Sequence, residues 1–538
     1  MENPADDFDY GTTIESFFQW INADNTTCYF HNLKFDGHFI MDWLMKQGYT
    51  HEVEQGPTGK GTFKTLISAM GMFYSLTVYW RNGKMTEFKD SLKKIPMPVE
   101  AIAKSWNLEE GKGEIDYKAT RPKGYEPTVA EWDYVRRDVL IVALAMQEIL
   151  AEGMTRLTVG SDSLAEYKSL IGTKLFDKLF PVLDDDMDDE IRRAYRGGFT
   201  YVADRYRGYR TRSGLVLDVN SLYPSVMARM LLPYGEPEFV EGVVTPTEDH
   251  PLTIFSITFT AKLKPDHVPC IQIKGSSMFG ETDYLKVIKE PTTLMVTDID
   301  WKLYQDHYDI EVQEYGGGWR FKGAYGMFDS YIDKWSAIKE AATGGKREIA
   351  KLHLNTLYGK FATNPNVTSK YPVLEDGMVK LKMGVLEKRR PVYTAMGVFI
   401  TSYARDLTVR AAQENYDTFA YADTDSLHLL TDTIPTSIDI HPTRMGAWKH
   451  EYDFAEAYYI RPKAYLEKHH AGYHPKSCVA GCAEVHYTNA FAGLPRKVSK
   501  KLVFDDLVHG RNLKGKLYPT VTSGGIVLTD YPYVLKLH

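Results

Sequence analysis

The chain has 538 residues, 43% of them hydrophobic and 25% charged, which at about 150 residues per domain implies three or four folded units of an ordinary globular protein. A formal net charge of −7 argues against a passive nucleic-acid coat but not against an enzyme that grips nucleic acid locally, and four cysteines are too few for a disulfide framework, which favours a reducing compartment. No apolar run reaches the ~18 residues of a membrane span, and the acidic opening MENPADDFDY has no signal-peptide pattern.

In chain order, residues 28–47 read as a strand end, a turn and an apolar-periodic helix. Residues 129–152 are strongly helical, with Val135, Val139, Leu140, Ala143 and Met146 predicted as one apolar stripe. The polar stretch VGSDSLAE near 158–165 is expected as a linker, its Ser or Asp capping the next helix. GLVLDV at 214–219 has the pattern of a buried strand. Residues 230–330, rich in Pro, Gly and β-branched residues, suggest an inserted α+β region, and 330–362 is helical. Residues 364–392 are turn-rich with short strand patterns, as in a protruding hairpin. Strands around 416–430 precede a mixed, basic C-terminal region. His469, His470, His474, Cys478 and Cys482 have ligand chemistry but not the spacing of a familiar zinc finger, so zinc is disfavoured.

The chemistry centres on YADTDSLHL at 421–429, where Asp423 and Asp425 interrupt two strand-like runs. Turn chemistry alone accounts for such a pair in most proteins. A second stretch, LDVNSLYPSVM at 217–227, ends a buried strand with Asp218 and starts a helix. Carboxylates from separate elements are what a pair of divalent ions needs when it is held about 4 Å apart for phosphoryl transfer. Asp218 and Asp425 fit that role, with Asp423 tuning or orienting the site. In KLHLNTLYGKF at 351–361, Lys351, Asn355 and Tyr358 share one helix face. A lysine there can meet a triphosphate and an aromatic one turn on can stack a base; Lys339 and Arg347 extend the basic character. Alone, this would be a solvated surface helix.

DVNSLYPSVM, KLHLNTLYGKFATNP and YADTDS resemble motifs A, B and C of family B DNA polymerases, in the same order and at matching separations. YRGGFT, TSYAR, the Lys463-x-Tyr465 pair and HNLKFDG narrow the resemblance to the protein-primed subgroup, and it runs from about residue 12 to the C-terminus. The resemblance implies an α/β (α+β multidomain) fold: an RNase H-like exonuclease domain over 1–157 and a right-hand palm, fingers and thumb polymerase domain over 158–538, with insertions near 227–330 and 364–395. It implies that Asp218 and Asp425 bind two Mg2+ (or Mn2+) ions supported by Asp423, and that Tyr223 presses on the nucleotide sugar and excludes a 2′-hydroxyl. Lys351 would hold the triphosphate with Lys339 and Arg347 assisting, while Asn355 and Tyr358 line the nascent base pair. Lys463 and Tyr465 would hold the primer end, Tyr195, Gly197 and Gly198 the template, and Thr401 and Arg405 the primer–template. Implied partners are primer–template DNA, dNTPs and a terminal priming protein; a virus-encoded monomer in the cytoplasm of a bacterial host, away from membranes, is expected.

In the N-terminal part, HNLKFDGHFI puts Asp36 after a polar turn, YVRRD sets Tyr134 and Asp138 on one helix face, and GKGEIDY adds Lys112 and Tyr117. By resemblance these belong to a 3′→5′ exonuclease: Asp36 and Asp138 bind metal, Tyr134 and Lys112 act on the scissile phosphate and water, and His31, Asn32, Phe35, Ser91 and Leu92 handle single-stranded primer. One departure stands out. The family carries an Asp-x-Glu on an earlier strand; here Asp6, Asp7 and Asp9 precede His31 without one, and Gly11 stands where the Glu would be. Proofreading is therefore expected to be severely weakened in this chain; a start at an internal Met of a longer gene would account for the departure. Two other readings compete. A template-dependent RNA-synthesising enzyme or primase is opposed by Tyr223, and an inactive nucleic-acid-binding accessory factor by the intact Asp218 and Asp425.

Overall fold

The β-branched and aromatic run Thr26–Phe30 forms a strand that pairs in parallel with Met85–Asp90, with Cys28 opposite Phe88. The computed structural model that contains it describes residues 8–52, 59–109, 111, 113, 115–116, 121–122, 124–273, 284–473, 485–494, 496–509, 512–522 and 525–534. Met85–Asp90 continues antiparallel through Phe73–Tyr79 to Thr62–Ser68. The helix Leu33–Lys46 buries Leu33, Ile40, Met41 and Leu44 against this sheet, beside Phe63, Phe73 and Phe88.

The stretch expected to protrude is a hairpin, Asn366–Glu375 with Met378–Lys388, and it has a second attachment. Ser369 and Lys370 pair with Ser68 and Ile67, so the hairpin extends the N-terminal sheet, which has seven strands among the described residues. Val379 is buried in that domain's apolar cluster and Leu381 packs on it.

Helix Val129–Ala151 is closed by a capping box of Thr128 and Glu131. Its buried stripe differs from the expected one. Val135 and Val139 are exposed, and Tyr134, Ile141, Val142, Ala145 and Ile149 join Leu140 and Met146 inside. The expected linker near 158–165 is the first half of a helix, Val159–Ile171, capped by Thr158. Asp162 lies within that helix and forms a buried ion pair with Lys94 of the N-terminal domain.

The second domain is built on a five-stranded sheet in the order Trp448–Phe454, Gly214–Val219, Ser426–Leu429, Phe419–Asp423 and Thr200–Val202. Its central strands are almost wholly buried, which explains their continuous apolar runs. Helix Thr394–Glu414 is largely buried within the same core. The 230–330 insertion is a four-stranded antiparallel sheet with helix Asp298–His307 inserted between two of its strands. Helices Asp329–Ala341 and Gly344–Phe361 form a packed pair. Glu456–Arg461 and Ala464–Lys468 belong to a smaller sheet carrying Lys463 at their turn. Of the His and Cys residues set aside as a zinc site, His474, Cys478 and Cys482 lie outside the described residues.

Candidate active site

Asp218 is the penultimate residue of strand Gly214–Val219, and its cross-strand partner is Ser426, the residue after Asp425. The Val219 N–H donates to the Asp425 carbonyl at 2.8 Å, so the two acids sit side by side at one end of the sheet. The turn between Phe419–Asp423 and Ser426–Leu429 is made by Thr424 at φ 64, a left-handed conformation unusual for a β-branched residue. The Asp425 N–H closes it onto the Asp423 carbonyl at 2.7 Å. Close against it lies Gly198, where a Cβ would come within 2.6 Å of Thr424 Cγ2. Gly198 is thus demanded by the Asp423–Asp425 turn itself, whereas the space beside Gly197 is open.

The three carboxylates differ in surroundings. Asp423 accepts from Lys463 Nζ at 2.8 and 3.0 Å, from Thr200 Oγ1 at 3.2 Å and from the Tyr421 hydroxyl at 3.2 Å. Among the described residues neither Asp218 nor Asp425 has an ion-pair partner. Burial and then the neighbouring Asp425 charge push the Asp218 carboxyl up to about 7. Burial and then Asp423 raise Asp425 as well. Lys449 and Lys463 act on Asp218 and Asp425 without forming an ion pair with either, and burial outweighs them, so the negative charge of the two half-buried carboxylates is only partly offset by the protein. Among the described residues no three His, Cys, Asp or Glu side chains converge into a complete metal cage. Mg2+ suits such a place, because it is held by one or two carboxylates with water and substrate phosphates filling the remaining positions.

Facing these acids, helix Leu222–Arg229 starts after Ser221 at φ 55 and presents Tyr223, stacked on Tyr358 with ring centroids 3.9 Å apart and planes 22° from parallel. Burial raises both phenols above their ordinary range. Lys339 Nζ reaches Ser221 Oγ at 3.1 Å, and burial followed by Arg347 and Lys351 lowers its pKa. Arg347 donates to the Lys339 carbonyl and Lys351 pairs with Glu348 at 2.6 Å, while Asn355 is exposed. Three cations therefore crowd one end of the helix pair, close to the start of the Tyr223 helix. Lys463, at φ 58, joins the site through Asp423, and Tyr465 packs on Tyr421 at 5.1 Å. Tyr195 is half-buried.

Thr401 and Arg405 do not face a groove. Thr401 is buried and bonds back to the carbonyls of Gly397 and Val398. Arg405 is buried against Asp300 of the inserted region, donating from Nε at 3.1 Å and Nη2 at 2.6 Å, and its Nη1 holds the carbonyls of Arg196 and Gly197 at 2.7 and 2.9 Å. Its hydrogen bonds brace the loop that carries Tyr195 and Gly198. Asp300 escaped the sequence reading because nothing in an isolated helix marks an acid as buried.

In the N-terminal domain, burial and then the nearby Asp90 push Asp36 up to about 6. Asp90, also missed, accepts the backbone N–H groups of Asn32 and Leu92, each at 3.0 Å; its place before SLKK is a helix-capping signal that sequence could have offered. Ser91 is fully buried, with its hydroxyl on the Phe30 carbonyl and against His31 Nδ1 at 3.1 Å, so it orients His31 instead of meeting a primer. His31 also reaches the Met97 carbonyl at 2.9 Å, and Phe35 packs on Phe39. Tyr134 is buried against Gly113, and Asp138 lies one turn further along the same helix. Lys112 and Tyr117 lie outside the described residues.

A family model described as DNA polymerase type B, organellar and viral, matches residues 19–439. The DNA polymerase of Bacillus phage B103 is 41% identical over 543 residues, covering 99% of this chain and 94% of the relative. That of Bacillus phage phi29 is 41% identical over 542 residues, covering 98% and 94%. Among solved structures, phi29 DNA polymerase complexed with primer-template DNA and incoming nucleotide substrates superimposes with a TM-score of 0.90 at 40% identity, over 98% of this chain and 94% of that one. Its orthorhombic crystal form gives 0.92 at 40% identity over the same shares. The chain thus belongs to the type B DNA polymerases of the organellar and viral kind, shares the exonuclease plus palm, fingers and thumb architecture of the phage phi29 enzyme that it resembles, and is a DNA-directed DNA polymerase.

Proposed function

We propose that this chain copies a phage genome by metal-assisted nucleotidyl transfer at Asp218 and Asp425, starting from a hydroxyl on a priming protein and displacing the non-template strand as it proceeds. The observation that carries the reading is the pairing of these two acids on adjacent strands, neither in an ion pair among the described residues, opposite the Tyr223–Tyr358 stack. Asp218 and Asp425 would hold two Mg2+ or Mn2+ ions. When bound, such ions lower the pKa of the attacking hydroxyl and balance charge on the triphosphate. The chain's own part is positioning. Lys339, Arg347 and Lys351 bind phosphate oxygens. Tyr223 lies under the sugar and leaves no room for a 2′-hydroxyl, while Tyr358 and Asn355 border the new base pair. Lys463 and Tyr465 hold the primer end, and Asp423 keeps Lys463 aimed at the site. Base pairing selects the nucleotide. The inserted sheet of 230–330 and the hairpin of 366–388 are the surfaces assigned to the priming protein and to strand displacement. The N-terminal domain supplies Asp36 and Asp138, which would hold metal for excision of a primer end.

The test is extension of a primed template in Mg2+ with dNTPs beside rNTPs. Wild-type protein is expected to extend with dNTPs alone, and Asp425→Ala to lose at least about a thousandfold of the rate, since electrostatic stabilisation of the transition state disappears with the ligand. Absence of template-directed extension, or equal use of rNTPs, would overturn the reading.

A further inference from the structure

The helix pair Asp329–Ala341 and Gly344–Phe361 carries the triphosphate-binding cations, and the turn joining the two helices rests on the N-terminal domain. Gly344, at φ 61, meets the turn that ends helix Val99–Ser105, where Asn107 is also left-handed at φ 53. A Cβ on Gly344 would stand 3.2 Å from Asn107 Nδ2 and 3.6 Å from the Trp106 carbonyl. The next residue is tighter. A Cβ on Gly345 would fall 2.2 Å from Trp106 Nε1 and 2.3 Å from Glu148 Oε2. Trp106 is buried, so its indole cannot swing away, whereas Glu148, on helix Val129–Ala151, is half-buried. Lys346 pairs with Glu152, which caps the end of that helix, at 3.4 Å. The backbone of the helix start is therefore pressed flat on an indole edge, with an ion pair beside it.

Arg347 comes two residues after Gly345, holds the Lys339 carbonyl and is followed one turn on by Lys351. Lys339 reaches Ser221, which precedes the Tyr223 helix. An α-helix is stiff along its axis, so whatever stops its first turn also sets where its cations stand. We propose that Trp106 and Gly345 form a seat in which the N-terminal domain fixes the axial position of helix Gly344–Phe361, making both of them positioning residues for the incoming nucleotide. The proposal rests on the reading that Lys339, Arg347 and Lys351 bind the triphosphate. It gives the N-terminal domain a part in DNA synthesis that does not depend on excising a primer.

Gly345→Ala would push the helix start back by about an ångström to restore van der Waals distance, and a displacement of that size at a reacting centre costs up to about a hundredfold. The experiment measures steady-state KM and kcat for dNTP incorporation and primer–template affinity by mobility shift, on folded proteins checked by thermal unfolding. Gly345→Ala is expected to raise the dNTP KM about tenfold with primer–template affinity unchanged, and the added substitution Trp106→Leu, which opens room at the indole edge, to reverse most of that rise. Trp106→Ala alone, which removes the seat without crowding it, is expected to raise the same KM about threefold and serves if Gly345→Ala does not fold. An unchanged KM in folded Gly345→Ala or in Trp106→Ala, or a rise that Trp106→Leu fails to reverse, would overturn the seat. Lys351→Ala runs alongside: an unchanged dNTP KM there would remove the triphosphate assignment on which the seat rests.

Discussion

Asp218 combines a stability cost with the role proposed for it as a metal ligand. Burial and the Asp425 charge raise its folded-state pKa from 3.8 to about 7, so the protein favours its protonated form. The resulting stabilisation is full below about 3.8 and is lost as pH rises through about 7, where folding must keep an unbalanced carboxylate half-buried. Asp218→Asn is accordingly expected to raise the thermal stability of the metal-free enzyme at pH 8, by on the order of 1–2 kcal/mol because the carboxylate still reaches solvent, while abolishing synthesis. Differential scanning of the two proteins at pH 5 and pH 8 checks the sign: the gain should shrink at the lower pH. The activity consequence runs the other way, since metal ligation needs the ionised form. At limiting Mg2+ the incorporation rate should climb as pH passes about 7, and raising Mg2+ should move that midpoint downward.

The acidic turn at 423–425 was legible because acids between apolar strands contrast with everything around them. Its neighbour Gly198 was legible only as a glycine. The sequence reading gave it to template, and the folded chain shows Thr424 filling the space first. Gly198→Ala is therefore expected to disturb the turn even without DNA, costing about 1–3 kcal/mol of stability through overpacking and lowering kcat more than it weakens template binding. Denaturant unfolding and a DNA-binding titration on the same variant separate the two effects. Long helices were found easily, but their inward faces were not. In Val129–Ala151 hydrophobic residues cover more than one stripe, so periodicity alone could not show that Val135 and Val139 face out while Tyr134 faces in. Thr401 and Arg405 looked like surface contacts for the same reason, since a motif spells identity and not burial.

Across the whole molecule, buried charge joins units that are far apart in the chain. Arg405 ties Asp300 of the inserted sheet region to the loop beside the acidic turn, and Lys94 ties the N-terminal domain to Asp162. Removing one partner strands the other in a dry site. Arg405→Met is expected to cost about 3–5 kcal/mol, and Arg405→Met with Asp300→Leu markedly less than either substitution alone, which a double-mutant cycle by chemical denaturation would reveal. None of this could be read from sequence, because paired burial is a property of two distant segments at once. The hairpin Asn366–Glu375 and Met378–Lys388 belongs to the synthetic half by chain order yet completes the sheet of the other half, with Val379 in its core. Trimming the gene at codon 157 would therefore not liberate a minimal polymerase. It would strip the hairpin of the strand it leans on and wet its inner face, so the two halves must be engineered as one piece.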